Sequence, residues 1–211
     1  MIADKFAEAL LKGGVEEVKK FTQELLDRGE KAENILNQGL VKGMDQVGIK
    51  FKNGQIYIPE VLMAARAMHA GLGILKPILA KSNTSSAAKI VLGTVKGDLH
   101  DIGKNLVGMM LEGAGFEVID IGIDAPAEKF VQAAKEQGAK VIGMSALLTT
   151  TMMQMKATVE MVKSAGLGNK VKTVVGGAPL TAEFAREIGA DGYAADAASA
   201  VGKVKDLLGM V

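Results

Sequence analysis

The chain has 211 residues, 48% of them apolar and 23% charged, with a formal net charge of +1. That is length for one large core or two small ones, and the near-neutral charge excludes nucleic-acid binding driven by a basic surface. There is no cysteine, so disulfides, zinc–thiolate sites and iron–sulfur clusters are excluded as well.

The stretch Met1–Glu8 carries charge where a secretory leader needs an unbroken apolar core. No stretch reaches the roughly 18–20 uninterrupted apolar residues of a membrane span. A cytoplasmic protein with neither membrane nor nucleic-acid partner is expected.

From Ala3 to about Ala80 the apolar spacing is helical. Phe6, Ala9 and Leu10 suit a short first helix ended by Gly13-Gly14. Val15, Val18, Phe21, Leu25 and Leu26 follow the i, i+3, i+4, i+7 rule in a second, closing near Gly29. A third carries Ile35, Leu36, Leu40, Met44 and Val47. Pro59 suits the first turn of a fourth, Pro59–Leu79, where its missing N–H costs nothing. Short connections between four helices predict an antiparallel bundle over residues 1–82. The bend from Gly48 to Glu60 holds Phe51 and Tyr57, and the helix after it shows Met63, Met68 and many small residues, either core packing or a surface for a planar ligand.

Residues 83–88 follow as a linker overlapping the turn-forming run Lys81–Ala87. Over 89–211 strand-like and helical runs alternate. The strands expected are Lys89–Val95, Phe116–Ile121, Lys140–Ser145, Lys172–Val175 and Asp191–Ala194. The helices are Asp101–Gly113, Pro126–Gln137, Thr150–Ala165, Thr181–Ile188 and Ala197–Leu208. Five β-α units predict an α/β unit with a Rossmann- or flavodoxin-like, five-stranded parallel sheet covered by helices. Ligands of such sheets bind beyond the carboxyl ends of the strands, where Asp98-Leu99-His100, Gly122-Ile123-Asp124, Ser145-Ala146-Leu147 and Gly176-Gly177 gather.

Spacing excludes several chemistries for the stretch Gly97–Lys104. A phosphate loop needs four residues between its glycines and then Lys-Ser/Thr, whereas five separate Gly97 from Gly103 and Asn105 follows Lys104. No dinucleotide fingerprint follows the first strand. The chain has only two histidines, His69 and His100, too few for a multi-histidine zinc site without unusual carboxylate help. His100 is then either a loop imidazole satisfied by hydrogen bonds, with Asp98 as turn former and Asp101 as N-cap, or a single ligand to a metal held mainly by a macrocycle. In the second case Asp98 would take the other ring N–H, fixing the tautomer.

The set Asp98-x-His100-x-x-Gly103, then Ser145-x-Leu147, then Gly176-Gly177 resembles the cobalamin-binding signature of the base-off/His-on class. The intervals, 41 residues from 104 to 144 and 28 from 148 to 175, suit it. The bundle, with Phe51-x-x-Gly54 and Tyr57-x-Pro59, is similar to the cap of cobalamin-dependent methionine synthase. Bundle plus sheet together look like the stand-alone corrinoid subunits of methyltransferase systems.

The resemblance implies a corrinoid, passing between methylcobalamin and cob(I)alamin, as cofactor, with His100 as the lower axial ligand of cobalt. It implies that Gly97, Asp98, Asp101, Ile102 and Gly103 surround that ligand, and that Asp98 and Thr151 form a proton relay to it; Thr151 stands where the family has serine. Ser145, Leu147 and Thr149 would line the channel for the nucleotide tail, and Gly176 and Gly177 would let the tail approach the backbone. Tyr57–Met68 would cover the upper face and move on a hinge at Lys81–Ala87. The implied function is methyl carriage from a substrate-specific methyltransferase to a second one, with coenzyme M or tetrahydrofolate as acceptor and a reductive activation protein as further partner. The alternatives are a cobalamin-binding regulatory or sensor module and the small subunit of a cobalamin-dependent mutase.

Overall fold

The computed structural model describes residues 2–81 and 88–210. The chain divides into two compact units, Met1–Ala87 with Glu112–Gly115, and Ala88–Leu111 with Phe116–Val211. The linker expected at 83–88 and the hinge at Lys81–Ala87 fall largely on residues 82–87, outside the described residues.

The first unit is helical. Helices α1 (Ile2–Leu11) and α2 (Val15–Asp27) are followed by a short α3 (Ala32–Asn34), α4 (Lys42–Lys52) and α5 (Ile58–Lys81). The third helix expected from the spacing is therefore not uniform: between α3 and α4 the backbone widens into a π-helical stretch, Ile35–Val41. Phe6 explains the tight packing at this point. A Cβ on Gly39 would stand 2.7 Å from the Phe6 ring, and one on Gly43 would stand 3.1 Å from both Phe6 Cβ and the Ala7 backbone nitrogen. Glycines on the wider helix thus let α1 cross closely. Phe6 also meets Phe21 edge to face, with ring centroids 6.1 Å apart.

Helix α5 begins at Ile58, and the Glu60 carboxylate accepts the Tyr57 N–H at 3.1 Å. It then runs past Pro77, which offers no N–H to the carbonyl four residues earlier. Over the 22 residues Ile58–Leu79 its mean hydropathy is 1.2, enough by length and composition for a membrane span. Its buried face instead forms bundle core through Val61, Ala64, Ala65, Ala67, Met68 and Leu75. The small-residue and methionine face divides accordingly: Met68 packs inside, while Met63 and Tyr57 are exposed.

The second unit is a five-stranded sheet. Strands β1 (Lys89–Thr94), β2 (Glu117–Asp120), β3 (Val141–Ser145), β4 (Lys172–Gly176) and β5 (Gly192–Ala194) alternate with α6 (Ile102–Gly113), α7 (Ala127–Gln137), α8 (Met153–Ser164), α9 (Ala182–Glu187) and α10 (Ala197–Leu207). Every strand boundary lies within one residue of its expectation. All pairings are parallel in the order β2-β1-β3-β4-β5. Val91, Ile142 and Val175 line one face of the sheet and pack with Phe130, Met155 and Val159 from α7 and α8. The strands are apolar runs rather than alternating ones because both faces are covered.

This strand order reverses direction between β1 and β3, so the loops leaving those two neighbours diverge to opposite faces and open a crevice at their carboxyl ends. The register places Thr94 beside Ser145, and Ser145 beside Gly176. The Asp98–His100 loop leaves β1 there and the Ala146–Met152 loop leaves β3.

Candidate functional site

Asp98 is the centre of this crevice. Its side chain is 0% exposed, while that of His100 is 51% exposed. Oδ1 accepts the His100 ring N–H at Nδ1 (2.7 Å) and the His100 backbone N–H (3.1 Å). Oδ2 accepts the backbone N–H groups of Leu147 (2.8 Å) and Leu148 (3.2 Å) and the Thr151 hydroxyl (2.7 Å). A buried carboxylate is tolerated because donors surround it. Burial opposes the charged form, but the bonds from Thr151, from the His100 ring and from the Leu147 and His100 amides outweigh it. The Asp98 carboxyl is held well below the usual carboxylate range.

An ionised Asp98 leaves one tautomer for a neutral His100: the proton sits on Nδ1 and the lone pair on Nε2. No protein partner for Nε2 is found among the described residues. The ring is thus oriented from behind and open in front.

The loop after β3 explains why helix α8 starts at Met153 rather than at the expected Thr150. Residues 147–152 turn instead, with the Thr151 and Met152 N–H groups on the Leu148 carbonyl. That turn aims two consecutive amides and one hydroxyl at Asp98. Thr151 Oγ1 also lies 2.9 Å from the Leu148 carbonyl, and its single proton serves one acceptor at a time. The extra methyl relative to serine has a seat: a Cβ on Gly97 would be 3.5 Å from Thr151 Cγ2.

The remaining residues expected at the site separate into groups. Leu147 contributes its amide, and its side chain is exposed, as are Thr149 and Ile102. Asp101 precedes α6; its carbonyl accepts the Asn105 N–H at 2.8 Å and its carboxylate the Asn105 amide at 3.1 Å. Ser145 ends β3 and its carbonyl accepts the Val95 N–H at 3.0 Å. Gly176 and Gly177 are demanded by the chain's own backbone: a Cβ on Gly176 would be 2.9 Å from the Ala194 carbonyl oxygen, and one on Gly177, at φ +136°, 1.8 Å from that of Ala146. Gly103 is different. A Cβ there would meet nothing within 4 Å, so the protein's own packing does not require a glycine at the start of α6.

Several supports carried no signal in the sequence. Thr94, fully buried, donates its hydroxyl to the His100 carbonyl at 2.9 Å. Asp124 accepts the Gly97 N–H at 2.7 Å and returns its own N–H to the Asp98 carbonyl at 3.0 Å. Lys104 is 3% exposed, with its ammonium on Asp120 and on Asn105 Oδ1. A hydroxyl and a carboxylate acting through backbone groups fit no residue motif; Asp124 was only visible as a polar residue at the carboxyl edge.

Exposed apolar side chains stand on the loops at the same carboxyl edge as the histidine. Leu99, Ile102, Ile123, Leu147, Leu148 and Met153 are all exposed on the carboxyl-edge loops or the first residues of the helices that follow them. Isolated exposed leucines are ordinary, but a cluster on the same edge as an oriented imidazole marks a binding surface. The crevice offers one nitrogen lone pair, apolar walls and open space over a glycine, which suits a large, partly apolar cofactor.

Comparison with known proteins agrees. Two family models described as B12 binding domain match residues 2–76 and 88–202. A corrinoid protein of Desulfitobacterium hafniense (strain Y51) is 44% identical over 99% of this chain and 98% of its own length. The chain belongs to the B12-binding corrinoid proteins. A dimethylamine corrinoid protein of Methanosarcina barkeri is 49% identical over 82% of each chain. Among solved structures, the methanol:cobalamin methyltransferase complex MtaBC of the same organism matches with a TM-score of 0.85 and 28% identity, covering 100% of this chain and 80% of that one. The cofactor of this corrinoid protein is therefore cobalamin or a related corrinoid, and the β1–β3 crevice has the residues to receive it.

Proposed function

We propose that this corrinoid protein carries a methyl group between two methyltransferases, holding cobalamin base-off with His100 as the lower ligand. Cobalamin, when bound, supplies the cobalt on which the methyl group travels. The observation that carries the reading is the His100–Asp98 pair: a fully buried carboxylate fixing Nδ1 at 2.7 Å and leaving Nε2 unpartnered on a half-exposed ring.

In this reading the chain's own residues orient, tune and exclude. Asp98 raises the basicity of the imidazole and fixes its direction. Thr151 and the Leu147 and Leu148 amides hold the carboxylate and set how readily it takes a proton when His100 is free. Leu99 and Ile102 keep water from the lower face. Gly103 leaves the crevice open at α6, and Ser145, Leu147, Thr149, Gly176 and Gly177 border the tail channel. A corrinoid relative named for dimethylamine and a structural match named for a methanol methyltransferase support a substrate-specific methyltransferase as first partner. The second methyltransferase would deliver to coenzyme M or a tetrahydrofolate, with a reductive activation protein serving the cofactor in the cytoplasm.

Reconstitution with hydroxocobalamin tests the core of this reading. Wild type is expected to bind with a base-off/His-on absorption and paramagnetic-resonance signature, and His100→Ala to lose the protein nitrogen from that signature. A His100→Ala protein with the wild-type axial-ligand spectrum would overturn the assignment.

A further inference from the structure

The loop that carries His100 is held from a third strand, and that brace has its own residue. Asp124 follows β2, at the opposite side of β1 from the Thr151 turn. It is the only non-glycine residue with positive φ among the described residues, at +49°. A single left-handed aspartate costs conformational energy that some compensating contact must offset. Here the contact is a reciprocal pair: its carboxylate takes the Gly97 N–H at 2.7 Å, and its own N–H goes to the Asp98 carbonyl at 3.0 Å. The peptide linking Gly97 to Asp98 is thereby gripped on both of its flanks. The neighbouring backbone ties are firm as well, since Ala125 donates to the Thr94 carbonyl and Thr94 to the Gly122 carbonyl, both at 2.9 Å.

We infer that Asp124 is a positioning residue for the histidine loop, setting the angle at which Asp98 presents His100. Gly97 begins that loop at φ +81°, and the Asp98 carbonyl accepts one backbone N–H among the described residues, that of Asp124. With Asp124 gone, the Asp98 N–H stays on the Val95 carbonyl at 3.1 Å and its carboxylate stays buried, so the peptide on its carbonyl side turns about those two anchors and the ring direction shifts with it. Because Asp124 is exposed, replacing it leaves the core intact. The inference rests on the reading of His100 as the lower ligand, and its test reads the apoprotein and the cobalamin complex separately.

Three variants divide the roles. Asp124→Asn keeps an acceptor oxygen and tolerates the left-handed region; Asp124→Gly relieves the backbone but has no acceptor; Asp124→Ala has neither advantage. In the apoprotein, amide exchange at Gly97 is expected to quicken about tenfold or more in the Gly and Ala variants, as loss of one charge-assisted bond implies, and to stay near wild type in Asn. With hydroxocobalamin, the same two variants are expected to remain folded, to bind about tenfold more weakly and to show a reduced His-on fraction. An Asp124→Gly protein equal to wild type in exchange and ligation overturns the inference. So does an Asn variant as impaired as Ala. If wild type itself binds without protein nitrogen on cobalt, the lower-ligand reading falls, while the exchange result still judges the brace.

Discussion

Replacing Asp98 by asparagine tests the site at its chemically most constrained atom. The carboxylate accepts on both oxygens, from two donors at Oδ1 and three at Oδ2. Asparagine offers one acceptor oxygen and one NH2 group. Facing its oxygen to Leu147, Leu148 and Thr151 keeps three bonds, whereas the reverse orientation points NH2 at two amide donors. The first orientation points NH2 at one amide donor, the His100 N–H, against two in the reverse; it therefore wins, and NH2 faces the His100 ring. Nδ1 must then accept, so the ring proton moves to Nε2 and the outward lone pair is lost. Recovering the coordinating tautomer costs a bond at Nδ1, and loss of a ligand's carboxylate partner weakens metal affinity about 10–100-fold, or roughly 1.4–2.7 kcal/mol. The assay has two arms: ring nitrogen shifts of the apoprotein near pH 8, about where imidazole is neutral, and hydroxocobalamin titration. A variant that keeps the proton on Nδ1 and binds cobalamin with wild-type affinity and axial spectrum would refute the reasoning.

Other perturbations separate fold from site. The Asp98 carboxyl is held below its ordinary range in the folded chain, so the stability its ionised form contributes is present above the unfolded value near 3.9 and is lost as pH falls toward the folded one. Urea midpoints of wild type should drop on acidification below about pH 4, with a shallower drop in Asp98→Asn; equal acid slopes would count against the assignment. Asp120→Ala strips the buried Lys104 ammonium of its carboxylate and should cost about 2 kcal/mol; adding Lys104→Met should restore part of it in a urea double-mutant cycle. Gly177→Ala drives a methyl into the Ala146 carbonyl and should cost about 3 kcal/mol or more. Gly103→Ala should leave stability unchanged or raise it by about 0.5–1 kcal/mol as a helix residue, yet weaken hydroxocobalamin binding about tenfold; unaltered binding would remove Gly103 from the cofactor surface.

The fold was legible because its signals are local. Short β-branched apolar runs such as Ile90–Leu92 and Val141–Ile142, bounded by turn formers, suit strands covered on both sides, and glycines at the ends of the second helix and of α7 mark their stops. Interruptions that depend on a neighbour were not. The π-helical stretch Ile35–Val41 is adjacent to Phe6 packing on Gly39, a contact thirty-odd residues away in sequence. The start of α8 moved to Met153 because the preceding residues turn toward Asp98, and no periodicity in 147–152 encodes an acceptor fifty residues upstream.

The site divides along the same line. His100, Asp98 and Thr151 are legible because a resemblance in spacing joins them, and the structure brings their side chains together by hydrogen bonds. The glycine pair also has a reason within the fold: Gly177 is fixed by the Ala146 carbonyl 1.8 Å from where its Cβ would be. Gly103 is the reverse case, a glycine that the packing of the fold does not ask for. The residues that hold the histidine loop from outside, Thr94 and Asp124, act on carbonyl and amide groups. Any polar residue of the right reach serves such a role, so no residue pattern announces it. A side-chain signature therefore picks out His100 and Asp98, while the hydrogen bonds that hold their loop come from positions that only backbone geometry reveals.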